Sequence, residues 1–215
     1  MYSRYALKYL EKSTTINDPK KALDKHGLDI RDVINLCGGF PPQRITELAI
    51  KIISTHEDII HIKIFTDLYE IVRSINFDYR FIDNSYMHVY KPQQMIGTNL
   101  FLHQVKTARS RKMLKLKTVA RATDEGDDIQ WWGYYCWGRL GYQMMKDEQV
   151  EFLRWLNNFN RKEKTLHELL ATIEGRQLWK NHGYTWRAEF HLDDESETMN
   201  NLRSYLQSKN IALYL

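Results

Sequence analysis

Cysteine and proline are scarce in this chain, which has two cysteines, Cys37 and Cys136, and four prolines among 215 residues. Two cysteines without metal-ligand spacing make neither a disulfide framework nor a zinc site, so no metal is expected. Ten glycines and few prolines exclude a fibrous or low-complexity chain. No run approaches eighteen apolar residues, so no membrane-spanning helix is expected. The opening MYSRYALKYLEKSTT is interrupted by Arg4, Lys8 and Glu11 and has no secretory apolar core, which makes the cytoplasm the expected location. An excess of one charge is lacking too. The formal net charge is +4, compatible with an anionic ligand but too weak to argue for nucleic acid.

What is present belongs to an ordinary folded protein, with 43% hydrophobic and 27% charged residues. The length suits one domain, residues 1–215. A first part, residues 1–57, reads as short helices: an amphipathic start near Tyr2 to Lys12, LDIRDVINLC from Leu28, and QRITELAIKIIS from Gln43, where Ile45, Leu48, Ala49 and Ile52 fall at helical spacing after the GGFPP break. From Asp58 the pattern becomes β-rich. IIHIKIF (Ile59 to Phe65), EIVRSINF (Glu70 to Phe77) and YMHVY (Tyr86 to Tyr90) predict an antiparallel meander, with Asp83 and Asn84 as a turn.

A turn at PQQMIGTN then opens a helix whose Leu100, Phe101, Gln104, Val105 and Ala108 form one side, and LKLKTVARA alternates as a strand should. The remainder, residues 143–215, predicts helices at DEQVEFLRWLNNF and at TLHELLATIEGRQLWKNHG, the latter with Thr165 and Glu168 in capping-box spacing. A strand YTWRAEFHL and a helix SETMNNLRSYLQSK follow. There is no internal repeat.

A strand ending in a tight turn that opens a helix is a general geometry for holding phosphate, because free N–H groups and the helix dipole meet at one point. The run VYKPQQMIGTNLFLHQVKTA, with MLKLKTVARA and GYYCWGRLGY after it, resembles the acyl-coenzyme A binding half of the GNAT N-acetyltransferase superfamily. In that family a strand, a Gln/Arg-x-x-Gly-x-Gly/Ala loop and a helix precede a second strand and a helix ending in Gly-Phe. The likeness covers roughly the middle third of the chain. TLHELLATIEGRQLW and FHLDDESETMNNLRSYL also resemble a bacterial subgroup of GNAT-like proteins.

The resemblance implies an α/β (α+β) fold with a mixed, mostly antiparallel central sheet, helices on both faces and a helical insertion near the C-terminus. Residues 58–142 would be the acyl-coenzyme A binding core. It implies acetyl-CoA as cosubstrate, with the amides of Met95, Ile96, Gly97, Thr98 and Asn99 on the pyrophosphate and His88, Val89 and Tyr90 along the pantetheine. Met95 stands where the family has its first loop glycine, and Pro92 stands at its Gln/Arg. Four residues before Gly141, where the family carries a tyrosine that protonates the thiolate, this chain has Trp137. An indole has no proton to transfer near neutral pH, so Trp137 is expected only to line the thioester pocket, and Tyr134, one turn earlier, is the substitute acid.

Asp83 and His88 are the candidate bases. Asp124 and Glu125, in the acidic link TDEGDD, are the candidates for receiving a cationic amine, whether a small molecule or a peptide. Arg109, Arg111, Lys112, Lys115 and Lys117 are candidates for the coenzyme 3′-phosphate.

Blander readings stand beside these. Gly97-Thr98 also suits a helix start capped by Thr98, and the stretch IQWWGYYCWGRLGY, with its three tryptophans and three tyrosines, also suits a packed core. The preferred expectation is an acyl-CoA-dependent N-acyltransferase. The alternative is a catalytically degenerate GNAT-fold binding protein. A homodimer stays open, no membrane partner is expected, and a nucleic-acid role ranks last for want of a recognition motif.

Overall fold

The computed structural model describes residues 10, 12–41, 45–90, 95–123 and 132–211. These fall into two compact units, within Met1–Leu114 and Lys115–Tyr214. The chain is mixed α/β with mostly antiparallel strands, as expected.

The first unit holds β1 (Thr14–Asn17), α1 (Ala22–Lys25), α2 (Ile30–Leu36), β2 (Leu48–His56), β3 (Ile59–Thr66), β4 (Tyr69–Asn76), β5 (Phe81–Val89) and α3 (Ile96–Ser110). Its strands lie in chain order. β1 runs parallel to β2, and β2 to β5 form an antiparallel meander, of which β3 to β5 are the expected part. Strict alternation explains these strands: Ile60, Ile62 and Ile64, with Ile71 and Ile75 beside them, point to one face and are buried, while Lys63 and Phe65 stand on the other. Each buried isoleucine contributes about 1.5–3 kcal/mol of transfer free energy.

On α3, Ile96, Leu100, Phe101, Val105 and Ala108 are buried, the stripe its periodicity predicts. Gln104 is buried among them and is satisfied in full view of the core: its amide exchanges two hydrogen bonds of 2.9 Å with Asn84 and donates a third to the Leu36 carbonyl at 3.1 Å. At the end of α2, Gly38 has φ +116°, and a Cβ there would lie 2.7 Å from the Leu100 carbonyl oxygen, so only glycine lets the two helices approach.

Two expectations fail in this unit. The helix expected from Gln43 is not found among the described residues of that segment, which from Leu48 form β2, while Gln43 and Arg44 lie outside the described residues. Ile50, Ile52 and Ser54 are buried at a period of two, and β-branched Ile50, Ile52 and Ile53 favour the pleat once a neighbouring strand is present. Asp83 and Asn84 do not turn the chain either. They lie inside β5, where the buried Gln104 amide holds Asn84 in place.

The second unit holds β6 (Lys115–Ala120), α4 (Gly133–Arg139), β7 (Gln143–Met144), α5 (Lys146–Asn158), α6 (Leu166–Ala171), α7 (Ile173–His182), β8 (Trp186–His191) and α8 (Glu197–Ser208). β8 lies between β6 and β7 and is antiparallel to both. The inserted helices α5 to α7 come between β7 and β8. The helix expected over residues 165–183 is two helices, because Thr172 takes up an extended conformation and its hydroxyl accepts from the Gly175 amide, starting a second helix. Thr165 caps α6 through the Glu168 amide at 3.1 Å, as its spacing predicts.

The core of this unit is aromatic. Trp179 and Trp186 are fully buried, and both indole N–H groups donate to the Tyr134 carbonyl, at 3.1 and 3.0 Å. Phe152, Trp155 and Tyr184 surround the Trp179 ring at centroid distances of 5.7, 4.9 and 5.3 Å, each edge to face.

Candidate functional site

The functional candidates of the first unit lie along β5 and at the start of α3. β5 carries a β-bulge. Val72 pairs with Tyr86 and Ser74 with Asp83, so one intervening residue on β4 faces two on β5, Asn84 and Ser85. The extra residue reverses the alternation. Residues 83 and 88 would point to opposite faces of a regular strand, and the bulge puts Asp83, Tyr86 and His88 on one face, above Ser74, Val72 and Glu70.

That face is half open. Phe65, Glu70 and His88 form one row across β3, β4 and β5, and Lys63, Val72 and Tyr86 form the next. Lys63 pairs with Glu70 at 2.5 Å, and the His88 and Tyr90 rings lie 5.1 Å apart. The Tyr86 and Tyr90 hydroxyls are held above the ordinary phenol range, by burial first and then by the Glu70 carboxylate. Glu70 is therefore the charged centre of this surface, opposite His88, and sequence reasoning did not single it out. The signal was there: in YEIVRS, Glu70 has the parity of the outward residues.

On the other face of the strand, α3 starts against β5. A Cβ on Gly97 would lie 2.8 Å from Met87 Cε and 3.7 Å from Val89 Cγ2, so Gly97 sets the contact between the first helical turn and the strand end. The helix begins after Met95, whose φ is +55°, no side chain caps it, and its first turn holds no acidic residue. Thr98 lies within the helix and is not its cap. The amide N–H groups of a first turn have no partner inside the helix, and with the dipole they make a positive end.

A buried cation stands close behind. Arg73, 2% exposed, donates to the Val72 and Tyr86 carbonyls at 3.0 and 2.6 Å and to the Met87 sulfur at 3.5 Å, so one methionine separates its guanidinium from Gly97. The structure thus brings Val89 of the expected cofactor set against Gly97 at the start of α3, while His88 lies beside Tyr90 on the opposite face of β5, the face it shares with Asp83.

No protein-family model, curated protein or solved structure matches this chain.

The candidates of the second unit occupy a different environment. Tyr134 is 7% exposed and its hydroxyl donates to the Lys180 carbonyl at 2.5 Å, with burial pushing its pKa up. Its ring also lies where a Cβ on Gly183 would be, 2.6 Å away. The proton proposed for acid catalysis is engaged with the backbone. Trp137 is equally buried, its ring 5.0 Å from Tyr142, which packs on Phe190 at 5.4 Å. These rings are core, the blander of the two readings. Asp124 and Glu125, with the rest of their acidic link, lie outside the described residues.

Arg111 pairs with Asp32, and Lys115 pairs with Glu189 at 3.1 Å. Cys37 is buried, and burial pushes its thiol up to about 12, which makes it chemically inert. Among the described residues no group of His, Cys, Asp and Glu side chains is placed to hold a metal, and no helix is long and apolar enough to cross a membrane.

Proposed function

We propose that the chain binds an acyl-coenzyme A at the start of α3 and the end of β5, and transfers the acyl group, acetyl in the first instance, to an amine. One observation carries this reading: the fifteen-residue helix that follows β5 in the chain starts without a side-chain cap and without an acid in its first turn, and a buried arginine lies behind it. A pyrophosphate placed there would accept from the backbone amides of Ile96, Gly97 and Thr98 and gain from the dipole. The order strand, helix, strand, helix and Gly141-Tyr142 supports the same reading through the GNAT resemblance.

The coenzyme would supply an activated acyl carbon as a thioester. The chain's part is to orient that carbonyl, exclude water and take the ammonium proton of the acceptor, so that its nitrogen lone pair attacks as the carbon–sulfur bond breaks. His88 and Asp83, placed on one face by the bulge, are the candidate proton acceptors, and Glu70 is positioned beside His88. Tyr134 keeps its proton on Lys180 in this scheme, and the thiolate leaves without an acid from that residue.

The second reading, a non-catalytic binder of acyl-coenzyme A, is favoured by the same Tyr134 bond and by Trp137. Calorimetric titration at low salt with acetyl-CoA and desulfo-CoA tests the shared premise. Micromolar binding of both is expected, and hydrolysis or transfer assays with amines then separate enzyme from binder. Absence of binding by either ligand overturns both readings.

A further inference from the structure

The second unit contains a cavity of about 180 Å³ lined by Arg139, His167, Arg176, Ser204, Tyr205 and Ser208. Its wall carries two cations that converge on one atom. Arg139 Nη1 donates to the Leu170 carbonyl oxygen at 3.2 Å, and Arg176 Nη1 donates to the same oxygen at 3.0 Å and to the Ala171 carbonyl at 3.0 Å. The Arg139 guanidinium also lies over the Tyr205 ring, 5.2 Å from its centroid. Among the described residues neither arginine has a carboxylate within salt-bridge distance.

Capping the end of α6 accounts for part of this, since the last carbonyls of a helix attract cations. It does not account for two. A carbonyl oxygen has lone pairs for two donors, but bringing a second positive charge to it adds repulsion that no carboxylate within salt-bridge distance among the described residues offsets. Each guanidinium has five N–H donors in a rigid fork, and these bonds use only Nη1 on each side, so the Nε and Nη2 donors remain for another acceptor. Ser204 and Ser208, one helical turn apart on α8, add hydroxyls to the same wall; both now donate to carbonyls of their own helix.

We propose that this cavity is a binding site for a phosphate group, free or carried on a small phosphomonoester. Two forks facing one space match a dianion with several acceptor oxygens better than a monoanionic carboxylate. The site lies within one unit and stands independently of the acyltransferase reading. His167 supplies a reporter. Burial holds its imidazole below the ordinary histidine range; Arg139 acts in the same direction, and Glu197 and Glu168 oppose it. A phosphate dianion beside Arg139 would raise it.

The test is a titration of the full chain with inorganic phosphate at constant ionic strength, followed by NMR of the arginine Nε–H and His167 ring signals. Adenosine monophosphate is the carried-phosphate arm, and sodium acetate and chloride are the controls. The expected result is saturable shifts of the Arg139 and Arg176 signals with phosphate, a rise in the His167 pKa, and at least tenfold weaker acetate. Arg176→Gln should weaken phosphate binding about tenfold while the far-UV spectrum is unchanged. Tighter binding of the nucleotide than of phosphate assigns the site to a carried phosphate, and equal binding assigns it to the group alone; both support the proposal. Unmoved signals, shifts reproduced by chloride, or acetate binding as tight as phosphate would overturn it, and the wild-type titration decides this even if the variant fails to fold.

Discussion

The aromatic groups of the two units differ in what their polar atoms do. In the second unit the Trp155, Trp179 and Trp186 indoles and the Tyr134 hydroxyl all end on backbone carbonyls, and the Trp155 and Trp179 rings pack edge to face. In the first unit Phe65 and Tyr90 stand 37% and 40% exposed, and His88 and Tyr86 share their open face with an ion pair. Residue types that suggest chemistry from the sequence are thus packing material in one region and an accessible surface in the other. The difference is burial: these core groups spend their N–H or O–H on neighbours, the buried Tyr184 hydroxyl excepted, which has no hydrogen-bond partner among the described residues, and a group so engaged is poorly placed to serve a substrate.

The largest effect should come from breaking the packed side. Trp179→Ala removes a fully buried ring and an indole bond to Tyr134, and should cost about 3–5 kcal/mol in urea unfolding. A loss under about 1 kcal/mol would mean that the layer is not the core of its unit. On the open side, Thr98→Asp places a carboxylate in the first turn of α3. It should leave stability unchanged or raise it by about 0.5 kcal/mol through the dipole, while weakening acetyl-CoA binding at least about tenfold. Opposite signs in the two measurements are what an anion site demands; equal affinity in the variant would dissociate the helix start from the coenzyme.

Tyr134→Phe sharpens the contrast. Loss of the bond to Lys180 should cost about 1 kcal/mol by thermal unfolding and leave acetyl-CoA affinity and any acyl transfer unchanged, whereas abolished transfer in a stable variant would restore the acid role. The smallest effect is electrostatic. Asp58 is held below the ordinary aspartate value by Lys25 first and also by His26, so its contribution is present above about pH 4 and lost as pH falls below that. Asp58→Asn should lower the melting temperature slightly at pH 7, converge with the wild type as pH falls well below about 4, and so flatten the acid limb of the profile.

Much of this was legible from local pattern. The isoleucines of β3 and β4 alternate so regularly that two strands are the only economical reading, and the apolar stripe of α3 sits one turn apart throughout. Thr165 and Ser196 announced their helices because capping is a local interaction between a hydroxyl and an amide three residues on. Long-range partners were not legible. The residues 43–54 suit a helix by spacing, and only pairing with β1 and β3 makes β2 a strand.

The bulge in β5 was invisible for the same reason. Asp83-Asn84 is turn-like in isolation, and the buried Gln104 amide, twenty residues on, keeps it extended. Gly97 is a point of close approach, and the neighbour it spares is a strand side chain, Met87. The hydroxyl partner of Tyr134 lies on a helix forty-six residues away, beyond any spacing argument.

The central claim is that the start of α3 beside the end of β5 receives the coenzyme phosphates. Amide NMR of the full chain with increasing acetyl-CoA measures this most directly. The account predicts saturable shifts concentrated at Ile96, Gly97, Thr98 and Asn99 and at Val89 and Tyr90. Saturable binding that leaves those amides unmoved, or no binding at all, would contradict it.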